Sequence, residues 1–437
     1  MARAYLAIGP KIINRFARGA AANFLGQILT VFLQIFMLPL MLYLWGDVKY
    51  GLWLVLTAIP SYLAIGDFGF SLAAANAMTS AVAKGTVREA NAIFNSTLFL
   101  TTASCLLLGF LVFVLLSSVS SISSFQAVAI ESPEALITLG LLAVSTLLTL
   151  SWSVFGAAFR ADGQYAFQLM VQNITRAAEA AAIIVSASVC DSLIWPALAC
   201  VVVRLLSYLS SLYLVKRRIP WIDYRLADVQ FGVYRRLWHP ALAAMTFPLG
   251  FAFVVQGATI LVGHLLGLAA VPAFVAIRTF ARLIMQATAI LSYPMIPEIS
   301  IAYGQNDSAA LRRLVRLSLV LTFLVALILV PMELIFGQAT IGLWTSNGVS
   351  VSFIDLSVIV LGTAIQAIWW NFSVVLLGLN RQSEYSYFFL VSSGVGIILG
   401  YFLAPIAGIA GLGAGLAAGD LIMLLIVGAK IIPLVRK

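Results

Sequence analysis

Charged residues are scarce in this sequence. Aspartate, glutamate, lysine and arginine together make up 9% of its 437 residues, whereas about a quarter of a soluble globular protein is charged. Hydrophobic residues make up 62%, and the mean hydropathy is +1.06. This composition excludes a soluble globular protein and indicates a chain whose solvent is mostly lipid.

Side chains that could hold a metal or form a redox pair are scarce as well. The cysteines Cys105, Cys190 and Cys200 are scattered, and His239 and His264 lie at opposite ends of one apolar stretch. None of them has the spacing of metal ligands or of a dithiol motif. The sequence therefore predicts no metal site and no cofactor.

The first residues lack the compact apolar region and small-residue cleavage site of a secretory signal peptide. Instead, Lys11, Arg15 and Arg18 recur at helical spacing, opposite apolar residues such as Phe16. This pattern is typical of an amphipathic helix that lies on a membrane surface. We predict such a segment over residues 1–19.

Long apolar runs fill most of the chain. A membrane span needs about 20 apolar residues, and its backbone groups must be satisfied internally, which favours helices over the alternating strands of a barrel. Twelve runs are long enough: approximately 20–45, 50–80, 91–117, 135–158, 165–189, 195–215, 239–262, 272–298, 314–336, 353–378, 386–403 and 411–432. We predict an all-α polytopic membrane protein with twelve transmembrane helices.

The basic residues support this count. If the N-terminus is cytoplasmic, twenty of the 25 basic residues fall in inside segments, four lie within spans, and only Lys49 is outside. Because lysine and arginine mark the cytoplasmic side, both termini are predicted to be cytoplasmic. Topology and contact with anionic lipid then explain the net charge of +9, and no nucleic-acid partner is expected.

The two halves of the chain show an internal repeat. Glycines and tyrosines in corresponding loops are separated by offsets of 221, 219 and 220 residues, in the pairs Gly46 and Gly267, Gly85 and Gly304, and Tyr165 and Tyr385. Each half has an even number of spans, so the repeats run parallel, as in many secondary transporters.

The longest polar segment divides the chain almost midway. It runs "KRRIPWIDYRLADVQFGVYRRLW" over residues 216–238. We predict an N-terminal six-helix bundle over 1–215, a basic cytoplasmic linker over 216–238, and a C-terminal six-helix bundle over 239–437. The two pseudo-symmetric bundles are expected to surround a central cavity.

The stretch "LPLMLYLWGDVKYGLWLVLTAIPSYLAIGDFGFSLA" resembles the first two spans of bacterial polysaccharide exporters, the O-antigen and lipid-linked oligosaccharide flippases. Pro39, Gly46, the run Tyr50-Gly51-Leu52-Trp53 and the run Asp67-Phe68-Gly69 carry the resemblance. The twelve spans and the repeat extend it over the whole chain. These flippases belong to the same superfamily as multidrug and toxin extrusion transporters and the lipid II flippase.

The resemblance implies a transporter rather than an enzyme. Its implied substrate is a polyprenyl-pyrophosphate-linked oligosaccharide, moved from the inner to the outer face of the bacterial cytoplasmic (inner) membrane by alternating access. This step belongs to the biosynthesis of surface polysaccharides such as lipopolysaccharide. The implied partners are this substrate, membrane lipids and polysaccharide-assembly proteins.

All four basic residues within the predicted spans are arginines, whose planar fork suits phosphate and which stay charged. Charges at membrane depth are costly and usually face interior cavities, so Arg176, Arg204, Arg278 and Arg282 are candidate substrate-binding residues. Arg278 and Arg282 share a helix face and need an anion opposite. Arg204 could instead pair with an acid on another helix.

Arg176 has an alternative role. Glu179 follows it three residues later, one turn along the same predicted helix. A structural ion pair on one helix face is the competing interpretation for Arg176.

Two acidic residues are candidates for gating or coupling. Asp67 is predicted near the inner end of the second span, between Gly66 and Gly69, which are expected to loosen the helix. There it could form an inner gate or simply meet interfacial water. Asp420 follows Gly411, Gly415 and Gly419 in the last span and could take part in proton or ion coupling. The glycines themselves predict close helix packing.

Two other functions are compatible with this composition. An ion-coupled exporter of small organic molecules or drugs would favour carboxylates within the spans, but the first span has none. A membrane-bound polysaccharide polymerase or glycosyltransferase would need catalytic groups outside the membrane. The longest predicted outside loops, 118–134 and 337–352, are short and poor in such groups, so both alternatives are disfavoured.

Overall fold

The structure is a computed structural model that describes residues 10–436 with gaps. The gaps are residues 68, 120–131, 293–294, 297–298, 300–301, 303–304, 306, 380 and 382. Every regular element among the described residues is helical. Residues 1–9 of the predicted amphipathic segment 1–19 lie outside the described residues, and a helix begins at Pro10.

Six helices are described in the first half of the chain. They are α1 (Pro10–Ser61), α2 (Phe70–Ala83), α3 (Val87–Val119), α4 (Pro133–Ala161), α5 (Tyr165–Val189) and α6 (Ile194–Arg218). A 3₁₀-helix at Tyr62–Asp67 separates α1 from α2. Another 3₁₀ turn, Leu226–Asp228, lies in the segment after α6.

Six more helices with described bounds lie in the second half. They are α7 (Phe231–Ala252), α8 (Ala258–Leu265), α9 (Ala270–Ser292), α10 (Ser308–Trp344), α11 (Phe353–Gly378) and α12 (Ser383–Arg436). A single π-helical turn, Phe253–Gly257, joins α7 to α8 without a break.

Capping groups explain where several helices begin. Ser132 accepts a hydrogen bond from the backbone N–H of Ala135, and Pro133 follows it at the first helical position. Asp307 caps α10 by accepting from the N–H groups of Ala309 and Ala310. Such caps satisfy backbone donors that the first helical turn leaves free.

Nine helices in the described part of the chain are long and apolar enough to cross a membrane. Two of them are interrupted and correspond to two spans each: α1 at Gly46, and α12 at Ala407 and Gly408. With α5, which is also long enough at 25 residues, the path of the chain accommodates twelve spans.

The break in α1 and its counterpart in the second half share a backbone conformation. Gly46 has φ 71° and Gly267 has φ 90°, a left-handed region that favours glycine. These glycines form the first pair of the sequence repeat, and each ends an odd-numbered span.

Asp67 lies at a break rather than at the end of the second span. The expectation that the helix ends there is wrong, because α2 continues for 14 residues after Gly69. The predicted loosening is confirmed, since the 3₁₀ turn ends at Asp67 and Gly69 has φ 72°.

The chain separates into two compact units. Unit 1 comprises Met1–Met37 and Ile59–Met245, and unit 2 comprises Leu38–Ala58 and Thr246–Lys437. The core of unit 1 includes Phe94, Phe155 and Ile219, and that of unit 2 includes Trp369 and Phe389. The predicted domain boundaries at 215 and 239 stay a prediction.

Close packing of small residues holds the two halves of α12 together. A Cβ atom added at Gly415 would overlap the backbone of Gly400, and one at Gly419 would lie 2.6 Å from the carbonyl oxygen of Ser392. The prediction that the glycine series serves helix packing is therefore confirmed.

Candidate functional site

A polar cavity of about 190 Å³ lies within unit 1, among α4, α5 and α6. Its lining combines two arginines with an amide, hydroxyl groups and a tryptophan: Leu148, Thr149, Trp152, Gln172, Thr175, Arg176, Arg204 and Ser207. Two of the four candidate arginines are thus brought together.

The charge of Arg204 is neutralised by an acid on the neighbouring helix. Its Nε donates to Oε1 of Glu179 over 3.1 Å and its Nη2 donates to Oε2 over 2.5 Å. Such a bidentate contact is the strongest arrangement of an arginine–carboxylate pair. Glu179 therefore pairs with Arg204 across helices, and the alternative pairing with Arg176 is wrong.

Arg176, at the same cavity, has no ion-pair partner among the residues that the structure describes. Its one hydrogen bond within the described structure is a long contact of 3.5 Å from Nη1 to the hydroxyl of Thr30. The side chain is exposed. An anion could therefore reach this guanidinium without displacing a protein carboxylate.

Hydrogen bonds fix the polar walls around these arginines. The hydroxyls of Thr175 and Ser207 are 2.9 Å apart, and the indole N–H of Trp152 donates to Ser211 over 2.8 Å. The walls thus present fixed hydroxyls beside the charged groups, an arrangement that can bind hydroxylated or anionic molecules.

Arg278 and Arg282 form a second cationic group, on α9 in unit 2. Arg278 donates through Nη1 to the carbonyl of Val255 over 2.7 Å and to the hydroxyl of Thr259 over 3.4 Å. Its guanidinium carbon is 5.1 Å from the ring centre of Phe274. All these contacts are neutral, so none of them cancels the charge.

The carbonyl of Val255, which accepts the hydrogen bond from Arg278, belongs to the π-helical turn. Such a turn is wider than an α-helical turn and its carbonyls leave the α register, which is why it often occurs at functional sites. Arg282, one turn further along α9, is exposed and has neither a hydrogen-bond nor an ion-pair partner among the residues described. An anion, either a protein carboxylate or the substrate, is expected opposite this pair, and no protein carboxylate contacts it among the described residues.

Asp420 lies at the wall of a water-sized cavity in unit 2. The cavity, of about 10 Å³, is also lined by Ser392 and Ser393. Asp420 accepts hydrogen bonds from the indole N–H of Trp369 over 2.8 Å and from the amide of Gln366 over 3.3 Å. The side chain of Asp67, the other gating candidate, lies outside the described residues.

The sequence analysis missed Glu333 on α10. The residue is only 3% exposed, and neither carboxylate oxygen has a hydrogen-bond partner among the described residues. It is the single acid in a helix of 37 residues, and that isolation was the available signal. Burying a polar group without a partner costs free energy, so Glu333 is expected to destabilise unit 2.

Glu333→Met is expected to stabilise the protein by about 1 kcal/mol, because an apolar side chain of similar length removes a buried group that forms no hydrogen bond. The measurement is the thermal unfolding of the purified protein in detergent. Glu384→Met is the matched control and should lower the melting temperature. Glu384 accepts from Arg381 and from Lys430 at 3.0 Å, so equal shifts in both variants would contradict this explanation.

No group of three histidine, cysteine, aspartate or glutamate side chains that could hold a metal occurs within the described ranges. The larger cavity is lined by arginine, hydroxyl and amide groups, which can bind polar or anionic molecules.

Comparisons with known proteins identify structures with a similar fold. The structure is similar to the inward-facing conformation of a multidrug resistance MATE family transporter of the MOP superfamily, with a TM-score of 0.75, 13% identity, and 92% of this chain and 95% of that chain covered. It is also similar to the lipid II flippase MurJ in an inward closed conformation, with a TM-score of 0.69, 16% identity and coverages of 94% and 87%.

One curated relative is similar in sequence. The uncharacterized membrane protein EpsK of Bacillus subtilis (strain 168) is 23% identical over 402 residues, covering 89% of this chain and 77% of the relative. No family model matches the chain. The structural likenesses confirm the predicted fold class, and the chain is a multi-pass membrane protein with the fold of these transporters.

Proposed function

We propose that this protein is a flippase for a polyprenyl-pyrophosphate-linked oligosaccharide. It would move this lipid from the cytoplasmic to the outer face of the bacterial inner membrane by alternating access, for surface polysaccharide biosynthesis, with both termini cytoplasmic. The observation that carries the proposal is the group of arginines in apolar helices whose charges no carboxylate neutralises within the described structure: Arg176, Arg278 and Arg282.

The substrate's chemistry explains why such arginines are needed. Each sugar hydroxyl moved into hydrocarbon without a hydrogen bond would cost several kcal/mol, so the protein must offer a wet polar path. The pyrophosphate requires cations along that path, and arginine binds phosphate through two parallel N–H groups. Holding a cation at membrane depth is costly. Binding of the substrate's phosphates would explain why the protein keeps arginines there.

We assign the substrate-binding role to Arg176, Arg278 and Arg282. Arg204 contributes differently, because its two bonds to Glu179 hold its guanidinium at the cavity wall beside Arg176. Asp67 and Asp420 remain the proposed gating or coupling residues. The fold shared with the lipid II flippase MurJ supports this assignment.

The second candidate function is ion-coupled export of small organic molecules or drugs. Asp420 favours it, because a carboxylate at a cavity wall suits a cation better than a pyrophosphate. The likeness to a multidrug resistance transporter supports it to the same degree. The larger cavity is instead lined by Arg176 and Arg204, so the flippase remains the leading proposal.

Complementation separates the two functions. In cells that lack their own flippase for the protein's native glycan, the wild-type gene is expected to restore surface polysaccharide and to leave drug susceptibility unchanged. The two readouts are surface glycan and the minimum inhibitory concentration of cationic drugs. Drug resistance without restored glycan would overturn the flippase and establish the exporter.

A further inference from the structure

The segment between α6 and the second turn of α7 is fixed to unit 1 by side chains of α3. We call residues 219–238 the central strap. Asn91 accepts from the backbone N–H of Asp223 and donates to the carboxylate of Asp228, each over 3.0 Å. Asn95 donates to the carbonyl of Asp223 over 2.9 Å and accepts from the N–H of Arg225 over 3.2 Å.

Two more hydrogen bonds continue this attachment. Ser96 accepts from the backbone N–H of Gln230 over 2.9 Å, and the hydroxyl of Tyr234 donates to the carbonyl of Ser96 over 2.9 Å. Both asparagines and Ser96 are buried. Buried polar groups that are fully paired rigidify a structure, so the central strap is a fixed part of unit 1 rather than a loose tether.

The inner side of the central strap packs into the core of unit 1. Ile219, Ile222, Val233 and Leu237 are buried in the core of unit 1. Burial, with a smaller effect from Tyr208, raises the pKa of Tyr224 to about 12. The strap is thus already anchored on this side by its own apolar residues.

The strap nevertheless presents a second set of apolar side chains outward. Leu226 is 79% exposed, Phe231 88% and Trp238 49%. Polar strap groups lie among them, which excludes the hydrocarbon centre of a bilayer as their surroundings. Large apolar side chains beside polar backbone are typical of the boundary between lipid headgroups and acyl chains.

The charge of the strap and of the helix end before it is positive. Residues 216–238 contain six basic and two acidic side chains. Arg225 pairs with Asp223 at 2.6 Å, Arg236 pairs with Glu89 at 2.6 Å, and the other acid is held by Asn91. Lys216 and Arg235 are exposed and have no ion-pair partner in the described part of the chain.

We propose that Leu226, Phe231 and Trp238, together with Lys216 and Arg235, form a docking surface for the anionic phospholipid headgroups of a bilayer. The apolar side chains enter the headgroup boundary and the two cations bind lipid phosphates. This contact holds unit 1 at a fixed depth at the membrane surface. It does not depend on which substrate the protein carries.

Depth measurement tests the docking surface directly. The full chain, with its three cysteines replaced by alanine, is spin-labelled at Leu226→Cys or Phe231→Cys and placed in nanodiscs of phosphatidylcholine with or without phosphatidylglycerol. With phosphatidylglycerol, both labels should be shielded from a water-soluble nickel reagent and accessible to oxygen. A label at Lys84→Cys, in the exposed loop before α3, should remain accessible to nickel.

Charge removal tests the lipid class. Lys216→Gln/Arg235→Gln should reduce phosphatidylglycerol retention by the purified protein roughly tenfold, as measured by native mass spectrometry. Arg88→Gln/Arg160→Gln removes the same charge from other exposed positions of unit 1 and should have little effect. Labels at 226 and 231 as accessible to nickel as the label at 84, or equal losses from both charge pairs, would overturn the proposal.

Discussion

Replacing Arg278 and Arg282 together by glutamine is expected to reduce glycan translocation about a hundredfold while leaving the protein in the membrane. Each arginine supplies charge-assisted hydrogen bonds to an anion, and losing one such bond costs about 1.5–3 kcal/mol, or roughly tenfold or more. The measurement is surface polysaccharide in the complementation strain, normalised to the amount of protein in the membrane.

Controls separate charge from helix packing at this pair. Arg88→Gln/Arg313→Gln removes two exposed arginines outside the pair and should leave transport near the wild-type level. Arg278→Lys keeps the charge but loses the planar fork, and an intermediate loss is expected because lysine cannot bind phosphate through two parallel N–H groups. Near-normal transport by the double glutamine variant would move the anion site away from α9.

Gly415→Leu is expected to destabilise unit 2 by about 3 kcal/mol, at the upper end for overpacking a close helix contact. The added side chain would meet the backbone of Gly400, which cannot move aside as a flexible side chain can. The measurement is the melting temperature in detergent, together with the fraction of monodisperse protein.

Gly394→Leu provides the matched control on the same helix. A Cβ at Gly394 would meet no atom within 4 Å, and leucine has a better helix propensity than glycine by roughly 1 kcal/mol. This variant should therefore match or slightly exceed the wild-type melting temperature. If both variants lose the same stability, close packing at Gly415 is not the cause.

The sequence predicted the elements of the fold well, because lipid leaves the backbone few choices. An apolar run of span length must be helical, and a glycine such as Gly46 or Gly267 can turn the chain where other residues would be strained. Asp67 shows the limit of this reasoning. Two flanking glycines indicated a break and the apolar run 50–80 covered most of α2, yet Asp67 was placed near the inner end of the span rather than at the 3₁₀ turn within it.

The candidate site was only partly predictable. Composition identified the arginines, since a charge in an apolar run is conspicuous in any sequence. It could not tell which arginine was neutralised, because Glu179 and Arg204 are 25 residues apart and meet only when α5 packs against α6. The burial of Glu333 likewise depends on neighbouring helices, which no local pattern reveals.

The π-helical turn at Phe253–Gly257 has a consequence for how this span can vary. A π-helical turn holds one residue more than the α-helical turn it replaces, so deleting one residue there would restore a regular α-helix. The flanking helices would keep nearly the same register, because the π-helical turn is what accommodates the extra residue. The carbonyl of Val255 would then take its place in the regular hydrogen-bond ladder of an α-helix, and Arg278 would have to compete for it with a backbone N–H. The length of this span, and not only its composition, therefore determines how Arg278 is held.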